Sequence, residues 1–216
     1  MQLVAENLVL ERGGRSVVDG LSFRVEAGQA FVLTGPNGSG KSTLLRTLAG
    51  YLRPAVGGVR VTGAGETRDP AELCHFVGHL DGIKTHLTAQ ENRAFWAAYL
   101  GEPEDAGGDA KVRVGAALKR FALDALADIP AGYLSAGQKR RLALARLAVA
   151  VRPLWLLDEP TVSLDTASVG LLIAAIDAHL ATGGLAVIAT HVPLALERAQ
   201  SIRLGPPSAE QAEVAS

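Results

Sequence analysis

The sequence of 216 residues contains one cysteine, Cys74. A single thiol excludes an internal disulfide framework and fits a reducing compartment. Charge excess is missing too: 21 basic and 22 acidic residues give a formal net charge of −1. Nucleic-acid-binding proteins usually carry a basic excess or stripe, so no nucleic-acid partner is expected. No run of about 18 apolar residues occurs, the length a membrane-crossing helix requires. Arg146, Arg152 and Pro153 interrupt the apolar stretch before Leu154, and Asp177, His179 and Gly183-Gly184 interrupt the later one. The stretch Met1 to Glu6 shows no basic region followed by an apolar core, so no secretory signal is expected. These absences predict a cytoplasmic protein that meets a membrane only through a partner. The length predicts one compact domain, with at most a small subdomain. A chain of this size buries roughly 70% of its extended surface and needs neither disulfide nor metal to hold together.

What is present is concentrated in a few short segments. Gly35-Pro36-Asn37-Gly38-Ser39-Gly40-Lys41-Ser42-Thr43 fits G-x-x-x-x-G-K-[ST] without mismatch. The apolar run Phe31-Val32-Leu33 enters it and the helical Leu44 to Leu48 leaves it. That strand–loop–helix context is what a phosphate-binding loop requires. Its glycines let backbone approach an anion, and successive N–H groups at the start of the helix point at phosphate oxygens. Lys41 would reach the β- and γ-phosphates of ATP, and the Ser42 hydroxyl would ligate Mg²⁺.

A second segment, Leu154-Trp155-Leu156-Leu157-Asp158-Glu159, is an apolar strand that ends in two acids. Beside a phosphate loop, Asp158 would bind Mg²⁺ and Glu159 would polarise the attacking water, which are the positioning and charge neutralisation that phosphoryl transfer needs. Alone, the segment also fits a strand whose acids cap the turn before Pro160; the complete phosphate loop upstream favours the first reading. Shorter signals surround these two. Leu8 to Leu10, Val17-Val18, Leu21 to Val25 and Val59 to Val61 read as strands, and Leu185 to Ala189 as a buried parallel strand. Ala167 to Leu180 reads as a helix, and residues from about 88 to 150 are mainly helical with a break at 101–108. The tail from residue 206 is expected to be flexible.

The third motif carries a resemblance. Leu134-Ser135-Ala136-Gly137-Gln138, followed by Lys139-Arg140-Arg141, resembles the signature of ATP-binding cassette (ABC) ATPases, and the same segment reads as an N-capped amphipathic helix whose basic residues face water. The order phosphate loop, signature, acidic strand, Ser163-Leu164-Asp165 and then His191 resembles that family across nearly the whole chain. The resemblance implies an α/β fold: a P-loop NTPase core with an antiparallel β segment and an inserted α-helical subdomain, spanning residues 1–205. It implies ATP and Mg²⁺ as cofactors and a homodimer assembled head to tail. Ser135 and Gly137 would then act on the nucleotide held by the partner copy, Asp165 would lie at the subunit interface, and His191 would contact the γ-phosphate. Arg12 stands where many members carry an aromatic residue that stacks on adenine, and its guanidinium can stack on a base. His79 stands where a glutamine is usual.

Within the family, Gly78 to Asn92, Arg12 to Arg15 and Leu134 to Leu147 are similar to the ATP-binding subunits of cytochrome c maturation ("haem exporter") transporters, the CcmA type; Thr161 departs from that type, which carries an aromatic residue after Asp-Glu-Pro. That resemblance implies a peripheral subunit on the cytoplasmic face of the bacterial inner membrane. Its partners would be a CcmB-like permease and a CcmC-like subunit, and ATP hydrolysis would drive release of a haem chaperone. Other readings are a soluble ABC ATPase in an assembly role, the ATPase of another small exporter, and a nucleotide-gated binding module. A haem or metal site at Cys74, His75, His79 and His86 is disfavoured for want of ligand spacing; Cys74 and Phe76 alternate with His75 and Val77 as on a strand, and a buried thiol beside surface histidines is expected there.

Overall fold

The computed structural model describes residues 1–63, 66–100 and 110–205. The break expected at 101–108 and the tail expected from 206 lie outside the described residues. The chain opens with a long hairpin, β1 (Gln2–Arg12) and β2 (Arg15–Glu26), in which Gln2 pairs with Glu26 and Arg12 with Arg15. β3 (Ala30–Thr34) leads through the glycine-rich loop into α1 (Lys41–Leu48). β4 (Val56–Gly63) and β5 (Glu66–Arg68) follow, then a single turn α2 (Pro70–Leu73) and β6 (Cys74–Val77). Three helices come next: α3 (Ala89–Leu100), α4 (Ala110–Arg120) and α5 (Ala136–Ala145). β7 (Leu154–Asp158), α6 (Thr166–Ala181), β8 (Leu185–Ala189) and β9 (Ala199–Arg203) close the described chain.

Two sheets result. One is antiparallel, in the order β2-β1-β4-β5; the other has the order β6-β7-β8-β3-β9 with every pair parallel. The inner strands β3, β7 and β8 are covered on both faces, which is why they read as unbroken apolar runs. Leu154, Leu156, Leu185 and Val187 face a core shared with α1 and the antiparallel sheet. Their neighbours Trp155, Leu157, Ala186 and Ile188 face a second core, shared with α6 and with Val114, Leu118, Phe121 and Leu142 of the helical segment. The parallel arrangement brings the carboxyl ends of β3 and β7 together, since both pair with β8. In such sheets that is the edge where ligands bind.

Two expectations need correction. On β6 the buried positions are His75 and Val77, whereas Cys74 and Phe76 are half-buried. His75 is therefore a core residue, 2% exposed, and its Nε2 lies 2.8 Å from the Ala150 carbonyl. Burial pushes its pKa down to about 4 and pushes the Cys74 thiol up to about 11. The basic run after the signature does not all face water either. Arg140 is 4% exposed, because it shares the inward face of α5 with Ala143 and Leu144, three and four residues on.

Candidate active site

The phosphate loop is built around backbone that only glycine adopts easily. Gly35 has φ 128°, and a Cβ there would come within 2.2 Å of the Leu204 carbonyl. Gly40, with φ 96°, ends the loop as the residue before α1, and no side chain caps that helix. The first N–H groups of α1 thus remain available to an anion, as phosphate binding needs. Lys41 Nζ donates to the carbonyls of Gly35 at 2.7 Å and Pro36 at 3.1 Å, which holds the ammonium over the loop. Ser39 Oγ is buried without a hydrogen-bond partner among the described residues. A cleft of about 130 Å³ opens above the loop and is lined by Arg12, Asn37, Lys41, Ser42, Thr43 and Glu159, among others. The β1–β2 hairpin tip supplies Arg12, so the cleft has a guanidinium where the sequence placed one.

The acidic strand docks beside this cleft. Ser42 Oγ donates to Asp158 Oδ1 at 3.1 Å. A hydroxyl and a carboxylate so close at the mouth of an anion site form a hard, all-oxygen donor pair, and they fit Mg²⁺. Glu159 and His191 are joined by Nδ1 and Oε2 at 2.9 Å, although 32 residues separate them. The Glu159 carboxylate is 19% exposed and the His191 side chain 62% exposed, so the pair sits at the cleft rim within reach of water. Glu159 also takes a left-handed backbone, φ 47°. For a residue with a Cβ that conformation costs about 1–2 kcal/mol and persists only where neighbours enforce it.

Ser135, Gly137 and Asp165 do not line the cleft. Ser135 caps α5 in a full capping box: its Oγ accepts from Gln138 N, and the Gln138 side chain accepts from Ser135 N. Gly137 packs against the Ser163 carbonyl. Asp165 caps α6 by accepting from Ser168 N at 2.8 Å, and its hydrogen bonds with Ser168 hold its carboxyl below the ordinary carboxylate range. One further residue escapes sequence reasoning. Arg140 spans from α5 to the turn after β7, donating to the Asp158, Glu159 and Pro160 carbonyls. The available signal was periodicity, which sets Arg140 on the apolar face of its helix. Among the described residues no group of three or more His, Cys, Asp or Glu side chains is placed to hold a metal ion.

A phosphate loop at the carboxyl edge of a parallel sheet, with an acidic strand beside it, defines a P-loop ATPase. The family described as "ABC transporter" matches residues 18–162, and the chain belongs to that family. It is an ABC-type ATPase. Its sequence is 48% identical over 206 residues to the cytochrome c biogenesis ATP-binding export protein CcmA of Chelativorans sp. (strain BNC1), covering 95% of this chain and 98% of that one. It is 50% identical over 210 residues to the CcmA of Cereibacter sphaeroides, covering 97% and 92%. The fold is similar to the ATP-binding cassette MJ0796, solved as a dimer in a post-hydrolysis state with ADP and phosphate: TM-score 0.78, 23% identity, 94% of each chain.

Proposed function

We propose that this chain is the ATP-hydrolysing subunit of a membrane complex in cytochrome c biogenesis. The observation that carries the reading is the junction of four motif residues at one cleft, Ser42 with Asp158 and Glu159 with His191, in a chain so similar to CcmA proteins over nearly its whole length. In this reading residues 1–205 act as one ATP-binding domain. The loop from Gly35 to Thr43 holds the triphosphate, Lys41 neutralises the β- and γ-phosphates, and Arg12 stacks on the base. Ser42 and Asp158 would hold Mg²⁺, which would supply charge neutralisation on the phosphates. Glu159 orients the attacking water and accepts its proton, and His191 fixes the carboxylate and the γ-phosphate.

Two copies work head to tail, with Ser135 and Gly137 of each completing the nucleotide site of the other and Asp165 at their interface. Such sharing fits the absence of Ser135 and Gly137 from the lining of their own cleft. The membrane partner, a CcmB-like permease with a CcmC-like subunit, docks on the groove between α3 and β6. That groove, of about 480 Å³, carries Tyr51, Phe95, Trp96 and Tyr99 with Arg146 and Arg152. Trp96 Nε1 reaches the Gly82 carbonyl at 3.4 Å and so ties the groove to the segment after His79. Aromatics at a groove surface beside buried Arg146 and half-buried Arg152 suit an apolar segment that bears a carboxylate. No helix among the described residues is long and apolar enough to cross a membrane, so contact with the inner membrane, on its cytoplasmic face, runs through these partners. Hydrolysis then drives release of the haem chaperone from the complex.

Purification of the tagged chain from its own membranes in mild detergent tests this. Recovery of a CcmB-like permease with a haem-handling subunit supports it. A different permease discards the cytochrome c assignment and keeps the ATPase, and a protein that cross-links to no membrane subunit in intact cells favours an assembly role.

A further inference from the structure

Arg140 makes five hydrogen bonds from one guanidinium. Nε donates to the Pro160 carbonyl at 3.3 Å, Nη1 to the Gly78 carbonyl at 3.0 Å and to Asp81 Oδ1 at 2.8 Å, and Nη2 to the carbonyls of Asp158 at 3.1 Å and Glu159 at 2.8 Å. Three of the acceptors are consecutive, and the middle one belongs to Glu159. A planar fork with five donors can span such a set, whereas a point charge such as lysine cannot.

The set matters because Glu159 holds the left-handed backbone described above, φ 47°. On one side its N–H donates to the Ala189 carbonyl at 2.8 Å. On the other its carbonyl is taken by Arg140. Those two bonds set the direction in which its side chain leaves the backbone, and hence the place of the carboxylate that meets His191. We propose that Arg140 is a positioning residue for ATP hydrolysis: from the signature helix, it clamps the Asp158–Pro160 backbone so that the Glu159 carboxylate stays aimed at the attacking water. Arg140 touches no residue of the phosphate loop and meets the cleft lining only at the Glu159 backbone carbonyl, so it acts on turnover and leaves nucleotide binding alone. Through Gly78 and Asp81, the same guanidinium also fastens the segment that follows β6. The proposal rests on Glu159 being the group that activates water.

The test uses the full chain in the assembly it co-purifies with, as Arg140→Lys, Arg140→Met, Glu159→Gln and the two double variants. ATP turnover, KM and thermal midpoint are measured for each. Arg140→Lys keeps the charge and the buried stem, so a merely structural cation would be rescued by it. The clamp instead predicts that Arg140→Lys loses about tenfold or more in kcat, with KM within about twofold and a thermal midpoint close to the parent. It also predicts that neither Arg140 variant slows Glu159→Gln much further, since both changes act through one carboxylate. If Arg140→Met fails to fold, the lysine variant carries both arms. Wild-type kcat in Arg140→Lys beside a slow Glu159→Gln overturns the clamp alone, as do losses that multiply in the double variant. Unchanged turnover in Glu159→Gln removes the role of that carboxylate, and the clamp with it.

Discussion

His75 gives this protein a defined acid sensitivity. In the fold its ring is buried against the Ala150 carbonyl, with Arg146, Arg152 and His179 as the charged or titratable groups acting on it, and its pKa falls from 6.5 to about 4. Unfolding returns the ring to water and to its ordinary value. Between those two values the unfolded chain binds a proton that the folded chain refuses, so stability rises with pH across that window. The contribution is fully present above about pH 6.5 and is lost as pH falls toward 4. Taking these two values at pH 5, the unfolded state gains about 2 kcal/mol from this proton, against less than about 0.1 kcal/mol at pH 7.5. In a chain of this size that corresponds to a fall in thermal midpoint of about 4–8 °C. His75→Gln keeps a donor for Ala150 and does not titrate. Thermal unfolding at pH 7.5 and pH 5 should therefore show an acid shift smaller by that amount in the variant. An equal acid shift in both proteins would refute the assignment.

Other expectations concern the site and the core. Glu159→Gln should lower ATP turnover by at least about 10²-fold with nucleotide affinity retained, the worth of a positioned base; steady-state kinetics with a fluorescent-nucleotide titration decide it. Lys41→Ala should abolish ATP binding, and parental affinity in that variant would sink the cradle. Arg93, on α3, is fully buried with all three guanidinium nitrogens unpartnered among the described residues, and burial brings its pKa down to about 9. Arg93→Met should therefore stabilise the protein, by about 1–4 kcal/mol in denaturant titration, because a lone buried cation is costly and methionine fills similar space. A destabilised variant would mean that the cation has a partner in solution.

Much of this arrangement was legible in the sequence because the chemistry is local. The loop from Gly35 to Thr43 and the strand ending at Asp158 announce themselves through residue types at fixed spacing, and unbroken apolar runs mark β3, β7 and β8 as doubly covered. What stayed hidden depends on long-range packing. β9 has one large apolar residue, Ile202, and is a strand because β3 offers it an open parallel edge. β1 runs for 11 residues where its local pattern marks three, since pairing on both sides with β2 and β4 extends it. On β6 the alternation was visible but not its sense: which face turns inward is decided by β7 and the Ala150 carbonyl, and they bury the imidazole. Arg140 looked like one of three solvated basic residues, because its five acceptors come from segments about 20 and 60 residues away.

If ATP hydrolysis at Glu159 serves cytochrome c biogenesis, covalent cytochrome c in the cell depends on that carboxylate. The most direct test is haem-stained c-type cytochrome in a strain lacking this gene, complemented with the parent chain or with Glu159→Gln at matched protein level. The parent chain should restore covalent cytochrome c and the variant should not. Mature cytochrome c in the deletion strain, or equal restoration by the variant, would contradict it.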